Sequence, residues 1–178
     1  TINKVINIIG NGRDSRLEAG QNSGLFRFDG GSIENRLVGI NISNLGIIGK
    51  ATAPSSGIAL SFSYCSNHRI TNIYFLGFQT ELECLNSWEF IINNCVFYGY
   101  RNAAIYLKNS DKNLVDIGDI MISNNTISPG GPVSFTPPFS IYQENMGGTK
   151  IVNCKFNGSA STGNQAQNHY FYKASATT

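Results

Sequence analysis

The sequence predicts an all-β solenoid, with short strands wound into coils of similar design and no helix of ordinary length. Three observations carry this reading. Asparagine recurs inside otherwise apolar runs, at Asn44, Asn72, Asn94, Asn124 and Asn153, with Ile two residues before each and Ile or Phe three residues after. The anchors are 28, 22, 30 and 29 residues apart, a variable period over a fixed unit, as expected when the coil is constant and its loops change length. The composition agrees: 19 Gly and 41% hydrophobic residues, rich in Ile and Phe, suit short strands joined by tight turns.

The phase across each anchor explains the asparagines. Ile42, Ile70, Ile92, Ile122 and Ile151 point inward two residues before it, and Leu45, Ile73, Cys95, Asn125 and Cys154 one residue after it. Alternation with period two therefore breaks at the Asn. A residue that bends a strand through the left-handed region is best Gly or Asn, because the short amide tolerates positive φ. Stacked one strand spacing apart, about 4.8 Å, the amides are expected to form a ladder, each bond contributing on the order of 1 kcal/mol net.

The remaining strands follow in order. "VINIIGNG" (5–12) supplies an early rung with Ile6 and Ile8 inward and Gly10 closing it. A further strand per coil appears in "GLFRF" (24–28), "GIALSF" (57–62), "ELECL" (81–85), "AIYLK" (104–108) and "SIYQE" (140–144). Their inward pairs are Phe26/Phe28, Ile58/Leu60, Leu82/Cys84 and Ile105/Leu107, and Ile141/Gln143 departs from the pattern. Each coil thus has three short strands. Loops are expected at 50–57, 109–119, 128–139 and 157–168, where Pro137 and Pro138 cannot donate ladder bonds. "HYFYK" (169–173) either begins another coil or docks on a neighbour.

A three-strand coil with a 22-residue floor, an Asn corner and Gly after the third strand resembles the right-handed, single-stranded parallel β-helix of the pectate-lyase-like superfamily. "NIIGNGRDSRL" followed by "LVGINISNLGIIGK" is similar to the entry of bacteriophage tailspikes and capsule depolymerases. The resemblance covers residues 1–158 as about five to six coils, leaving 159–178 as a polar segment or part of a further coil. It implies a homotrimeric parent, carried on a virion tail or extracellular, that binds and cuts capsule, O-antigen or another bacterial surface polysaccharide.

Charge and cysteines narrow the classes. A net charge of +2 with 13% charged residues indicates neither a nucleic-acid stripe nor a trap for acidic substrates. No run approaches the length of a membrane span. Thr1 opens directly into apparent strand, so the chain is expected to be a piece of a longer one. Cys95 and Cys154 share an inward column two spacings apart, roughly 9.6 Å, beyond disulfide reach. Cys65 and Cys84 lack metal-ligand spacing. All four read as core thiols, His68 and His169 as isolated polar residues, and no cofactor or metal is expected.

Chemistry is expected on the outward face of the first strands. Alignment puts Arg27, Ala59, Glu83, Tyr106 and Tyr142 in one column, with Leu25, Gly57, Glu81, Ala104 and Ser140 on one side and Asp29, Ser61, Leu85, Lys108 and Glu144 on the other. Sugars need such a mixture, since a pyranose face stacks on aromatics while its hydroxyls demand charged or amide partners. Glu81 and Glu83, roughly 6.6 Å apart at Cα, are the candidate catalytic pair of a glycosidase. Tyr106, Tyr142, Arg27 and Trp88 are the candidate binders, with Glu89 beside Trp88 in the turn. Arg101, Asp111, Asp116 and Asp119 form a second tier. A lyase, which needs a cation to neutralise a uronate, is the alternative chemistry. A noncatalytic fibre or adhesin segment is the alternative class, and solvent-facing Glu on a strand is its bland counterpart.

Overall fold

The computed structural model describes residues 5–20, 24–49, 55–110, 118–129, 139–157 and 170–173. These are all-β, without a helix. In chain order the strands are β1 (Ile6–Ile9), β2 (Arg16–Glu18), β3 (Phe26–Asp29), β4 (Leu37–Val38), β5 (Ile40–Ile48), β6 (Ser55–Ser63), β7 (Cys65–Leu76), β8 (Phe78–Leu85) and β9 (Trp88–Asn93). They continue as β10 (Val96–Tyr98), β11 (Ala103–Lys108), β12 (Ile120–Ser123), β13 (Thr126–Ser128), β14 (Phe139–Glu144), β15 (Thr149–Val152), β16 (Lys155–Phe156) and β17 (Tyr170–Lys173).

Every pairing is parallel, and the strands form two sheets. One runs β17-β14-β11-β8-β6-β3. The other has eleven strands and two flanks, because β5 and β7 each pass through an Asn bend. The first part of β7 pairs with β9 and its last part with β10. The chain thus leaves one sheet, runs along both flanks of the other and returns, an order compatible with a parallel β-helix.

The asparagines stand where the phase break requires. φ is 59° at Asn44, 55° at Asn72 and Asn94, 56° at Asn124 and 51° at Asn153. Asn72 donates to Asn44 (2.9 Å), Asn94 donates to Asn72, and Asn153 donates to Asn124 (2.7 Å). The ladder therefore runs in two stretches. Between them, Asn93 donates to the Ser123 hydroxyl (2.8 Å). Where the second flank ends, Gly77 has φ +79°, and a Cβ on Gly49 would lie 2.3 Å from the Gly77 carbonyl oxygen. Only glycine satisfies these demands at no cost.

The core follows the expected inward columns. Ile42, Ile70, Ile92 and Ile122 are buried, as are Leu45, Ile73, Cys95 and Asn125. Asn125 is satisfied in place: its amide oxygen accepts from the Cys95 N–H (2.8 Å) and its amide donates to the Ile92 carbonyl (3.0 Å). Gln143 likewise donates to the Met146 carbonyl (2.6 Å). Aromatic rings stack between neighbouring strands, Phe28 on Phe62 (5.0 Å) and Phe75 on Phe97 (4.8 Å). The four cysteines are free, three buried and Cys154 half-buried.

Two expectations change, and an open one is decided. In β6 the inward pair is Leu60/Phe62, since Phe26 pairs with Leu60 and Phe28 with Phe62, rather than Ile58/Leu60. "IALSF" offers apolar residues at both registers, and the larger ring wins the contact with Phe28. His68 is fully buried between Phe62 and Phe90, accepting at Nδ1 from the Ile40 N–H (2.8 Å). "HYFYK" contributes β17, a further parallel strand beside β14. Pro137, Pro138, His169, Asp111, Asp116 and most of the four loops lie outside the described residues.

Replacing Asn94 tests the corner. Asn94→Leu puts a branched side chain at positive φ and removes a ladder amide, and is expected to cost about 1–3 kcal/mol. Asn94→Gly keeps the backbone conformation and should cost less. Urea unfolding of both variants checks this, and equal losses would separate the ladder from the bend.

Candidate functional site

Strand pairing assembles one outward row across the six-stranded sheet: Arg27, Ser61, Glu83, Tyr106 and Tyr142. Four of the expected five are there. Ser61 replaces Ala59, which is buried, and the two-residue shift in β6 is the cause. Beside it lies a second row, Asp29, Ser63, Leu85, Lys108 and Glu144, in which Ser63 takes the place expected for Ser61.

The surface over these rows is concave. Two adjoining depressions of about 470 and 440 Å³ share Ile58, Glu83 and Leu85. The first extends over Phe26 and Arg27, the second over Thr80, Asn102 and Tyr106. Glu83 stands where they meet. Ile58, Thr80 and Asn102 were not candidates in the sequence, and Asn102 belongs to a turn whose amide reaches the Thr80 hydroxyl (3.3 Å).

Local bonds hold the charged groups. Arg27 Nη2 contacts Asp29 Oδ2 at 2.9 Å, and Lys108 Nζ contacts Glu144 Oε2 at 3.3 Å. The Tyr142 hydroxyl donates to the same Glu144 oxygen (2.7 Å), and this bond pushes its pKa up to about 12. Ser61 Oγ donates to Glu83 Oε1 (2.8 Å), and Glu83 has no ion pair among the described residues. The Tyr106 and Tyr142 rings stack at 4.7 Å with a 4° interplanar angle. One face of Tyr106 is thereby covered, Glu83 is its register partner on the other side, and the ring borders the second depression. Burial raises the Tyr106 pKa.

Glu81 is not on this face. It is fully buried, and both carboxyl oxygens are enclosed without a hydrogen-bond partner. The pairs on either side, Ile58 with Thr80 and Leu60 with Leu82, bracket it. Thr80 lines the groove while Leu82 is in the core, so strict alternation fails between them. Ala59, Ala104 and Ser140 occupy the same interpolated row and are also buried, and the two alanines leave room for the carboxyl. Burial drives its pKa well above the usual carboxylate range. The peptide groups at Tyr98 and Gly77 offset part of this without reaching hydrogen-bond geometry. Nearby, the Tyr100 hydroxyl shares a hydrogen bond with Ser140 (2.8 Å). The shared-face separation expected for Glu81 and Glu83 therefore does not arise.

Trp88 also lies elsewhere. It opens β9 in the other sheet, paired with Ser66, with the Arg36 guanidinium 5.8 Å from its ring centroid. Glu89 is exposed at φ 56°, and Asp119, exposed at φ 57°, directly precedes β12; neither lines the groove. Arg101 belongs to the turn before β11, its N–H reaching the Phe78 and Gln79 carbonyls. No group of three or more His, Cys, Asp or Glu among the described residues is arranged to hold a metal. Comparison with family models, curated proteins and solved structures gives no match.

Two buried groups set opposite pH dependences. Burial pushes the His68 pKa from 6.5 down to about 4, so the unfolded chain binds its proton more readily and stability falls as pH drops through that window. Glu81 is shifted up from 4.5, so the folded state holds its proton more tightly and stability falls as pH rises from there through the folded pKa. Glu81→Gln, neutral and nearly isosteric, is expected to remove the decline that starts in the carboxylate range, below the pH at which the buried Cys65, Cys84 and Cys95 thiols, whose pKa values burial also raises, begin to contribute. Urea midpoints measured from acid up to neutral pH check this, and an unchanged slope there in the variant counts against the buried carboxyl as its source.

Proposed function

We propose that the chain is part of a right-handed, single-stranded parallel β-helix of the pectate-lyase-like kind and that its groove binds an extended polysaccharide. The observation that carries this is the row through the groove. Arg27, Ser61, Glu83 and Tyr106 span three strand spacings, about 14 Å, the length of a short oligosaccharide. The Tyr106 ring at the groove wall offers an aromatic surface, and Ser61, Glu83 and Asn102 offer hydroxyl partners. Parallel strands hold these groups at fixed spacing, so binding orders little besides the glycan. The same reading holds the parent chain to be a homotrimeric, extracellular or virion-borne fibre.

Cleavage is the second reading, and Glu83 in the groove favours it. With Glu81 enclosed, the second carboxyl of a glycosidase would come from Asp29 or Glu144, each two strands from Glu83 and one row across. A lyase reading has less support, because Arg27 and Lys108 are already paired with carboxylates.

Titration with a panel of bacterial surface polysaccharides tests binding. Tyr106→Ala uncovers the Tyr142 ring, so the double variant Tyr106→Ala/Tyr142→Ala is expected to weaken binding most, by about tenfold or more. Where the parent releases product, Glu83→Gln is expected to slow it about 10²–10⁴-fold while binding persists. Binding unaffected by the double variant would overturn the groove as the site.

A further inference from the structure

We infer that the groove selects sugars bearing a free, protonated amine over neutral sugars and over uronates, an inference that rests on the carbohydrate-binding reading. The charges along it are unequally committed. Arg27 is bound to Asp29 and Lys108 to Glu144, so both cations of the two rows carry a carboxylate already. Glu83, at the junction of the two depressions, is held only by the Ser61 hydroxyl and has no ion pair among the described residues. Among the described residues, the centre of the groove therefore carries an uncompensated negative charge.

An aromatic face stands next to that charge. Glu83 and Tyr106 are register partners on adjacent strands, about 4.8 Å apart at the backbone. Tyr142 covers the opposite face of the Tyr106 ring. An ammonium bound at the rim of the carboxylate meets Glu83 directly and has the Tyr106 ring as its next neighbour, whose π electrons add to the attraction. Ile58 and Leu85 border the same spot and limit competing water, which strengthens both attractions. A uronate there would set its carboxylate against Glu83, and the nearby cations are already paired. A neutral sugar gains hydrogen bonds and stacking only.

The test is calorimetric titration of the full chain, at a mildly acidic pH where the amine is protonated, with tetramers of glucosamine, N-acetylglucosamine and galacturonate. The glucosamine tetramer is expected to bind about tenfold or more tightly than the N-acetyl tetramer. Glu83→Gln, with an unchanged melting temperature, should erase that preference, and the preference should shrink with added salt. Equal or tighter binding of galacturonate, or a preference that survives Glu83→Gln, overturns the inference while leaving the carbohydrate reading standing. If none of the three binds, the inference falls, and the polysaccharide panel then decides the carbohydrate reading separately.

Discussion

One backbone constraint organises the molecule: at the corner between the two flanks, one residue in each repeat must enter the left-handed region so that a strand can turn and keep both its halves inside the core. Asparagine meets it at five positions, with φ between 51° and 59°. A bend placed one residue earlier or later would turn Ile42 or Leu45 and their equivalents outward, because strand side chains alternate with period two. Within each of the two stretches, Asn44–Asn94 and Asn124–Asn153, the amide that tolerates the bend also bonds to the amide of the adjacent strand. The same side chain thus sets the local conformation and the register between strands.

Register converts sequence into rows. With every pairing parallel, residues at equivalent positions stack across the sheet, and the outer face gathers Arg27, Ser61, Glu83, Tyr106 and Tyr142 from five separate segments. No two of these are neighbours in the chain. The stacked tyrosines and the paired charges beside them follow from this geometry, since cross-strand neighbours are the closest partners an exposed side chain has. Stacked parallel strands therefore hold exposed side chains from separate segments at fixed spacing along the sheet.

The interior shows how far the core tolerates polarity. Asn125 and Gln143 are buried but bonded to backbone, so their burial costs little. His68 keeps one nitrogen bonded and leaves Nε2 enclosed between aromatic rings. Glu81 is the extreme case, with two enclosed oxygens lacking partners, and burial shifts its equilibrium toward the protonated carboxyl. Buried amides bonded to a peptide are neutral in their effect, whereas these two titratable groups, each with an enclosed atom that lacks a partner, make the fold sensitive to pH.

The sequence alone determined the all-β class, the Asn bends, the inward columns around them and most of the outward row. These follow from local rules, the alternation of strand side chains and the conformational tolerance of Asn, which each segment carries by itself. Tertiary structure decided the rest. In β6, "IALSF" fits two registers, and only the packing of Phe62 on Phe28 chose between them, moving Ser61 into the row and Ala59 out of it. Glu81 looks outward by its spacing from Glu83, yet the loss of alternation between Thr80 and Leu82 and the small residues on adjacent strands enclose it. Trp88 is near these glutamates in the chain but belongs to the other sheet. Which residues share a groove depends on which strands pair and which neighbours leave space, and those relations connect segments twenty or more residues apart that no local pattern encodes.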